Sequence, residues 1–160
     1  MRDPEKIEFE VRAISQKDLT RGFFETLSNL AEVGRISQDH ENAKKILREI
    51  TSSRFCKIFV AVKNDGEIVG SNTLLIEQKF IHNGGKVAHI EDVVTKKGYE
   101  GLGIGTALVD ESLRFARQMK CYKVILDCSK ENLPFYKKIG FNEHGISMRY
   151  DCLPHTSKYS

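Results

Sequence analysis

No apolar run in the 160 residues approaches the roughly 20 needed to cross a bilayer, and the opening Met1-Arg2-Asp3-Pro4-Glu5-Lys6 lacks the apolar core of a signal peptide. Neither a membrane span nor secretion is expected, and a cytoplasmic address follows. Cysteine is sparse and unpatterned: Cys56, Cys121, Cys128 and Cys152 have no C-x-x-C spacing, which favours free thiols over zinc ligands or disulfides. Internal repeats, low-complexity tracts and long linkers are missing too. The net charge is only +3, with 25 basic residues dispersed among 22 acids, so a nucleic-acid surface is disfavoured. What is present, 40% hydrophobic and 29% charged residues, suits one globular domain spanning residues 1–160 with mobile ends at 1–6 and 152–160.

Alternating Ile7, Phe9 and Val11 predict a first strand, and Ser15-Gln16-Lys17-Asp18 reads as a capping box opening a helix to about Glu32, stopped by Gly34. Ala43, Ile46, Leu47 and Ile50 share one face of a second helix, from about Asp39 to Ile50. Asn64-Asp65-Gly66-Glu67 between two apolar runs is a hairpin signal, because Asp-Gly supplies positive φ. Lys79 to His82 ends that arm, Asn83-Gly84-Gly85 turns the chain, and Val87 to Val94 forms the next strand. Helical spacing of Ile104, Ala107, Leu108, Phe115 and Met119, followed by the apolar run Val124-Ile125-Leu126, gives a βαβ unit whose second strand is expected to be covered on both faces. Asn132 and Pro134 open a short helix stopped by Gly140, and a last strand is expected near Ile146 to Tyr150.

The most informative stretch joins the strand ending in Val93 and Val94 to the helix that starts near Ile104. Gly101, Gly103 and Gly105 alternate, so successive N–H groups of Gly103, Ile104, Gly105 and Thr106 can point outward together at the positive end of a helix dipole, an arrangement that binds phosphate. The loop lacks a terminal Gly-Lys-Ser/Thr and does not fit G-x-G-x-x-G, which demotes both common nucleotide motifs. Glu100-Gly101-Leu102-Gly103-Ile104-Gly105 resembles instead the acetyl-CoA signature Gln/Arg-x-x-Gly-x-Gly/Ala of the GNAT N-acetyltransferases. Asp127 closes the Val124 to Leu126 run, where a helix cap and a functional acid are about equally expected. Glu91 and Asp92, adjacent on one strand, are expected on opposite faces and so unable to act as a pair.

Three further segments, His89 to Asp92, Cys121 to Cys128 and Asn132 to Phe141, resemble the eukaryotic glucosamine 6-phosphate N-acetyltransferases over about Val11 to Tyr150. The resemblance implies an α/β (α+β) GNAT fold, with a central mixed twisted sheet, helices on both faces and a parallel βαβ unit at its centre. It implies acetyl transfer from acetyl-CoA to the 2-amino group of the sugar phosphate, toward UDP-N-acetylglucosamine, without a metal, in a homodimer whose sites are shared between subunits. Carried over by position, Val93, Val94 and Thr95 hold the acetyl and pantetheine arm, and Gly101, Leu102, Gly103, Ile104, Gly105 and Thr106 hold the pyrophosphate. Tyr136 meets the thioester sulfur. Asp127 assists the amine, and Lys79, Phe80, Ile81, His82, Glu91, Asp92, Tyr122 and Lys123 surround the sugar phosphate. Three positions depart from the family pattern: Glu100 replaces Gln or Arg, Ala31 replaces a threonine, and Asp151 replaces an arginine, with Arg149 two residues earlier as the substitute.

Overall fold

The computed structural model describes residues 7–153. The expected mobile ends at 1–6 and 152–160 lie outside them, apart from residues 152 and 153. Five strands, β1 (Phe9–Ala13), β2 (Cys56–Lys63), β3 (Ile68–Gln78), β4 (Lys86–Thr95) and β5 (Cys121–Leu126), form one sheet in sequence order. The first four are antiparallel, and β4 and β5 are parallel. The period-2 side-chain alternation of β2 divides the core. Ile58, Val60 and Val62 face one side with Ile14, Leu19, Phe23, Ala43 and Leu47, while Phe59 and Ala61 face the other with Val69, Leu74, Ile90, Ile104 and Leu108. The first side is covered by α1 (Phe23–Leu27) and α2 (His40–Thr51). The second is covered by α4 (Ile104–Gln118), the crossover helix between the parallel strands, with α5 (Leu133–Ile139) beside it. The mixed sheet, the helices on both faces and the parallel βαβ unit agree with expectation, except that the unit lies at one edge of the sheet and not at its centre. The Asp65-Gly66 hairpin is also present, with Gly66 at φ +87°.

Four expectations are corrected. The helix from Ser15 toward Glu32 is broken: a 3-10 turn, Gln16–Thr20, ends before Gly22, whose φ of 89° is left-handed, and α1 follows. The break frees the Arg21 carbonyl to accept the Ile68 N–H at 2.8 Å, and Thr26 Oγ1 donates to the Ile68 carbonyl at 2.9 Å. This short helix is thereby tied to the start of β3. On α2 the buried face is Ala43 and Leu47; Ile46 lies on the flank, exposed. No strand forms at 146–150, where Ile146, Met148 and Tyr150 are 92%, 93% and 88% exposed. As a direct consequence β5 is the sheet's edge, and Val124, Ile125 and Leu126 are half-buried instead of covered on both faces. The loop before β4 contains a four-residue turn, α3 (Ile81–Gly84), in which His82 and Asn83 both have left-handed backbone.

Candidate active site

The parallel pairing of β4 and β5 stops at Ile90 and Leu126. β5 ends there, whereas β4 continues to Thr95. The second half of β4 therefore has no neighbour on the β5 side, and the sheet parts at the carboxyl ends of two parallel strands, the place where open α/β sheets hold ligands. A bulge marks the same point. Ser71 pairs with Val94 and Thr73 with Glu91, so Asp92 and Val93 together stand opposite the single residue Asn72, and Asp92 takes a φ of 53°. Asn72 is fully buried and donates to the Leu108 carbonyl and to Ser112 Oγ, anchoring β3 to α4 beneath the bulge.

The bulge overturns the expected separation of Glu91 and Asp92. Two-residue alternation fails across it, both side chains are exposed, and Glu91 feels the charge of Asp92 and also that of Asp127. Burial first, then these two neighbours, push the Glu91 carboxyl above the ordinary range, with His89 acting weakly the other way. Asp127 is exposed immediately after β5, and the caps of the following turns fall on Ser129 and Asn132, so Asp127 is not a helix cap. The three acids thus form one cluster at the parting of the sheet.

On the other side of the opening lies the glycine turn. Gly98, Gly101 and Gly103 have φ of 91°, 77° and 85°, and a Cβ at any of them would meet nothing within 4 Å. Only glycine takes these conformations without strain, and the space in front of them is open. The 15-residue helix α4 begins directly behind, and the N–H groups of its first turn lack intrahelical acceptors. This cradle fits a diphosphate. Ile104 contributes backbone alone, since its side chain is 1% exposed in the core, whereas Thr106 is exposed and Leu102 half-buried. Gly105 lies against Phe135 of α5 and Thr95 at the end of β4, so the three elements converge. Glu100 turns back on its own loop: the Gly98 N–H donates to Glu100 Oε2 at 2.7 Å.

Tyr136 on α5 is 8% exposed and sits edge-on to Phe135 and Phe141 at centroid distances of 4.8 and 5.9 Å. Burial first, and then the neighbouring Cys128, push its phenol above the ordinary value, so it stays protonated. Tyr136, Asp127 and Cys128 line one groove of about 330 Å³. A second grouping gathers round Tyr122: the His82 ring lies 4.4 Å from it and Lys123 Nζ 5.9 Å above it. In the same loop Phe80 and Ile81 are exposed, and Lys79 pairs with Glu77. Arg149 is not brought to either group; it lies on the exposed segment after α5 and donates to Asp151 Oδ1 at 2.6 Å. Sequence reasoning missed Cys128, Phe135 and the bulge. It missed Asn29 as well, whose Oδ1 accepts the Lys97 N–H at 2.6 Å and fixes the entry to the glycine turn. None of these carries a local signal, though the volume lost at Gly105 is a hint that an aromatic ring approaches it.

A sheet parted at two parallel strands, with a diphosphate cradle on the intervening helix, defines an acyl-coenzyme A transferase site. The chain belongs to the acetyltransferase (GNAT) family, whose profile matches residues 22–141. It is 38% identical over 148 residues to glucosamine 6-phosphate N-acetyltransferase of Trypanosoma brucei brucei, covering 91% of this chain and 97% of that relative. It is 34% identical over 142 residues to the protein of that name from Arabidopsis thaliana, covering 88% and 94%. The crystal structure of glucosamine-6-phosphate N-acetyltransferase from Arabidopsis thaliana matches with a TM-score of 0.84 at 34% identity, over 91% of this chain and 99% of the other. Within the GNAT family, its place is among the glucosamine 6-phosphate N-acetyltransferases.

Proposed function

We propose that this chain transfers the acetyl group of acetyl-CoA to the 2-amino group of D-glucosamine 6-phosphate, releasing coenzyme A and N-acetyl-D-glucosamine 6-phosphate for UDP-N-acetylglucosamine synthesis. The observation that carries the reaction type is the opening between β4 and β5, with the glycine cradle on one side and Glu91, Asp92 and Asp127 on the other. The choice of acceptor is supported by the near full-length relatives.

In this reading Gly101 to Thr106 hold the diphosphate of the co-substrate through backbone N–H groups, and Val93, Val94 and Thr95 receive the pantetheine arm along the free edge of β4. The bulge frees a backbone N–H near Val93 or Val94 for the oxyanion that develops on the thioester carbonyl. The acids hold the incoming amine. Taking the α-amino value of about 7.7 to 8.0 as a guide, roughly a tenth of such an amine is already neutral at pH 7, so Asp127 need only orient it and take its proton, directly or through water. A lysine amine near 10.4 would cost about 4.6 kcal/mol to deprotonate at that pH. Tyr136 donates a hydrogen bond to the departing thiolate. Proton transfer from a phenol near 10 to a thiolate near 8.5 is uphill by about 2 kcal/mol, and more for the raised phenol here, so the proton moves late. His82, Tyr122, Lys123 and Lys79 gather at the opposite end of β5 from Asp127, about 16 Å away at strand rise, so in this reading they hold the sugar phosphate of the second subunit's site.

A cytoplasmic homodimer completes the proposal. Among the described residues no helix is long and apolar enough to cross a membrane. Phe80, Ile81, Ile146, Met148 and Tyr150 are exposed apolar side chains that a second subunit would cover, and β5 offers an unpaired strand edge. A second reading, transfer to a different small amine, is favoured by the tie between Arg149 and Asp151, which leaves the sugar phosphate without that arginine. Coenzyme A release with a panel of amines decides: turnover confined to glucosamine 6-phosphate is expected, and faster turnover with a non-phosphorylated amine would replace the acceptor.

A further inference from the structure

Cys128 has no place in the acyl transfer just described, yet it lies inside the same groove. The thiol is free and its residue exposed, in the lining of a groove of about 330 Å³ shared with Asp127, Leu133, Tyr136 and Phe141. Facing it is the Tyr136 hydroxyl on a residue 92% buried, for which no hydrogen-bond partner exists among the described residues. An unpaired phenol turned into a groove is set to meet a ligand atom, and in the reading above that atom is the coenzyme sulfur. Cys128 is the cysteine that lines this groove with Tyr136. The other cysteines differ. Burial pushes the half-buried Cys56 and Cys121 thiols up, which lowers their thiolate fraction, and Cys152 is exposed but lies outside the groove.

We propose that Cys128 is a redox modification site at which disulfides of coenzyme A form a reversible, inactivating mixed disulfide within the coenzyme groove. The step is a thiol–disulfide exchange. The Cys128 thiolate attacks one sulfur of coenzyme A disulfide, a new S–S bond forms to that sulfur, and the old S–S bond breaks. The second coenzyme A leaves as a thiolate and takes up the proton that Cys128 lost, so the incoming disulfide is the only oxidant. The glycine cradle directs the reagent, because the nucleotide end binds there while the sulfur reaches Tyr136. The adduct then fills the site of the co-substrate, and a small-molecule thiol reverses it. The proposal rests on the assignment of Tyr136 to the coenzyme sulfur.

The test is peptide mass mapping of the reduced full-length protein after incubation with coenzyme A disulfide, alongside bis(2-hydroxyethyl) disulfide, which has no nucleotide. Labelling of Cys128 at least roughly tenfold faster than Cys152 is expected with the coenzyme reagent, through the effective concentration that binding confers. That advantage should shrink with the small reagent, acetyl transfer should fall in step with labelling, and dithiothreitol should restore it. The Cys152→Ser protein, tested in parallel, should behave as the parent. Equal labelling of both cysteines, or an undiminished Cys128 advantage with the small disulfide, overturns the proposal. If turnover with glucosamine 6-phosphate is intact while labelling is undirected, this inference alone fails. If labelling is directed while every amine is inert, the acyl-transfer reading fails and the directed modification of Cys128 stands without its inactivating effect.

Discussion

Replacing Gly70 by alanine tests whether the packing beneath the glycine turn sets coenzyme affinity. Gly70 pairs with Ala61 and Thr95 in the middle of the sheet, where alanine should gain about 0.5–1 kcal/mol from lower chain entropy if space allowed. Space does not allow it. A Cβ at position 70 would lie 2.5 Å from Ile104 Cγ2 and 2.9 Å from Leu108 Cδ1, about 1 Å inside normal carbon contact of roughly 3.5–4.0 Å. Both neighbours are fully buried and cannot turn away. Overpacking of this kind costs about 1–3 kcal/mol, so a net loss of about 1–2 kcal/mol remains after the entropy gain. For a chain of this length that lowers Tm by about 2–8 °C. Ile104 is also the first residue of α4, so relief of the clash displaces the helix start that carries the cradle. The KM for acetyl-CoA should rise several-fold, more than kcat falls. The diagnostic measurement is a double-mutant cycle with Ile104→Ala, which removes the clashing methyl at its own cavity cost of about 2–5 kcal/mol. The double variant should lose at least about 1 kcal/mol less than the sum of the singles. An unchanged Tm for Gly70→Ala, or additivity within about 0.5 kcal/mol, would refute the reasoning.

Tyr136→Phe should lower kcat by roughly 100-fold while coenzyme A binding by calorimetry changes little, since only the hydroxyl is lost; unchanged turnover would remove its assigned role. Glu100→Gln keeps an acceptor for the Gly98 N–H and removes a carboxylate beside the cradle, so KM for acetyl-CoA should drop about twofold to fivefold at low salt and the difference should vanish at high salt. Asp18 is fully buried, and although burial opposes its ionisation, hydrogen bonds from Arg12 at 2.7 and 2.9 Å and from Ser15 hold its carboxyl below the ordinary value. A depressed carboxylate contributes its full stability above the unfolded value of about 3.9 and loses it as pH falls through the lower folded value. Urea melts should therefore show Asp18→Asn less stable by about 2–3 kcal/mol at pH 7, with the gap to the parent closing below about pH 4; a pH-independent gap would contradict the ion pair.

Legibility followed how local each determinant is. The Asp65-Gly66 turn, the alternation of β2 and the helical spacing after Ile104 are encoded within a few residues, and they stand where the sequence puts them. The glycine turn ahead of α4 was legible for the same reason, because alternate glycines have few other uses. The bulge at Asp92 was not, since it depends on pairing with Ser71 and Thr73, twenty residues away, and it reverses the expected relation of Glu91 to Asp92. The long helix predicted from the Ser15 capping box failed because the Arg21 carbonyl is claimed by Ile68, another long-range bond. Ile146, Met148 and Tyr150 alternate as a strand should, but β pairing needs a partner edge, and within one chain this segment takes none. Cys128 was visible only as a residue without a motif; its position facing Tyr136 is a product of how α5 packs.

The most direct test of the central claim is thiol release from acetyl-CoA, measured with glucosamine 6-phosphate, glucose 6-phosphate, spermine and a histone peptide as acceptors. Coenzyme A should appear with glucosamine 6-phosphate and not with the other three, with N-acetyl-D-glucosamine 6-phosphate as the product by mass. Intact binding of acetyl-CoA without release in the presence of glucosamine 6-phosphate would contradict the account.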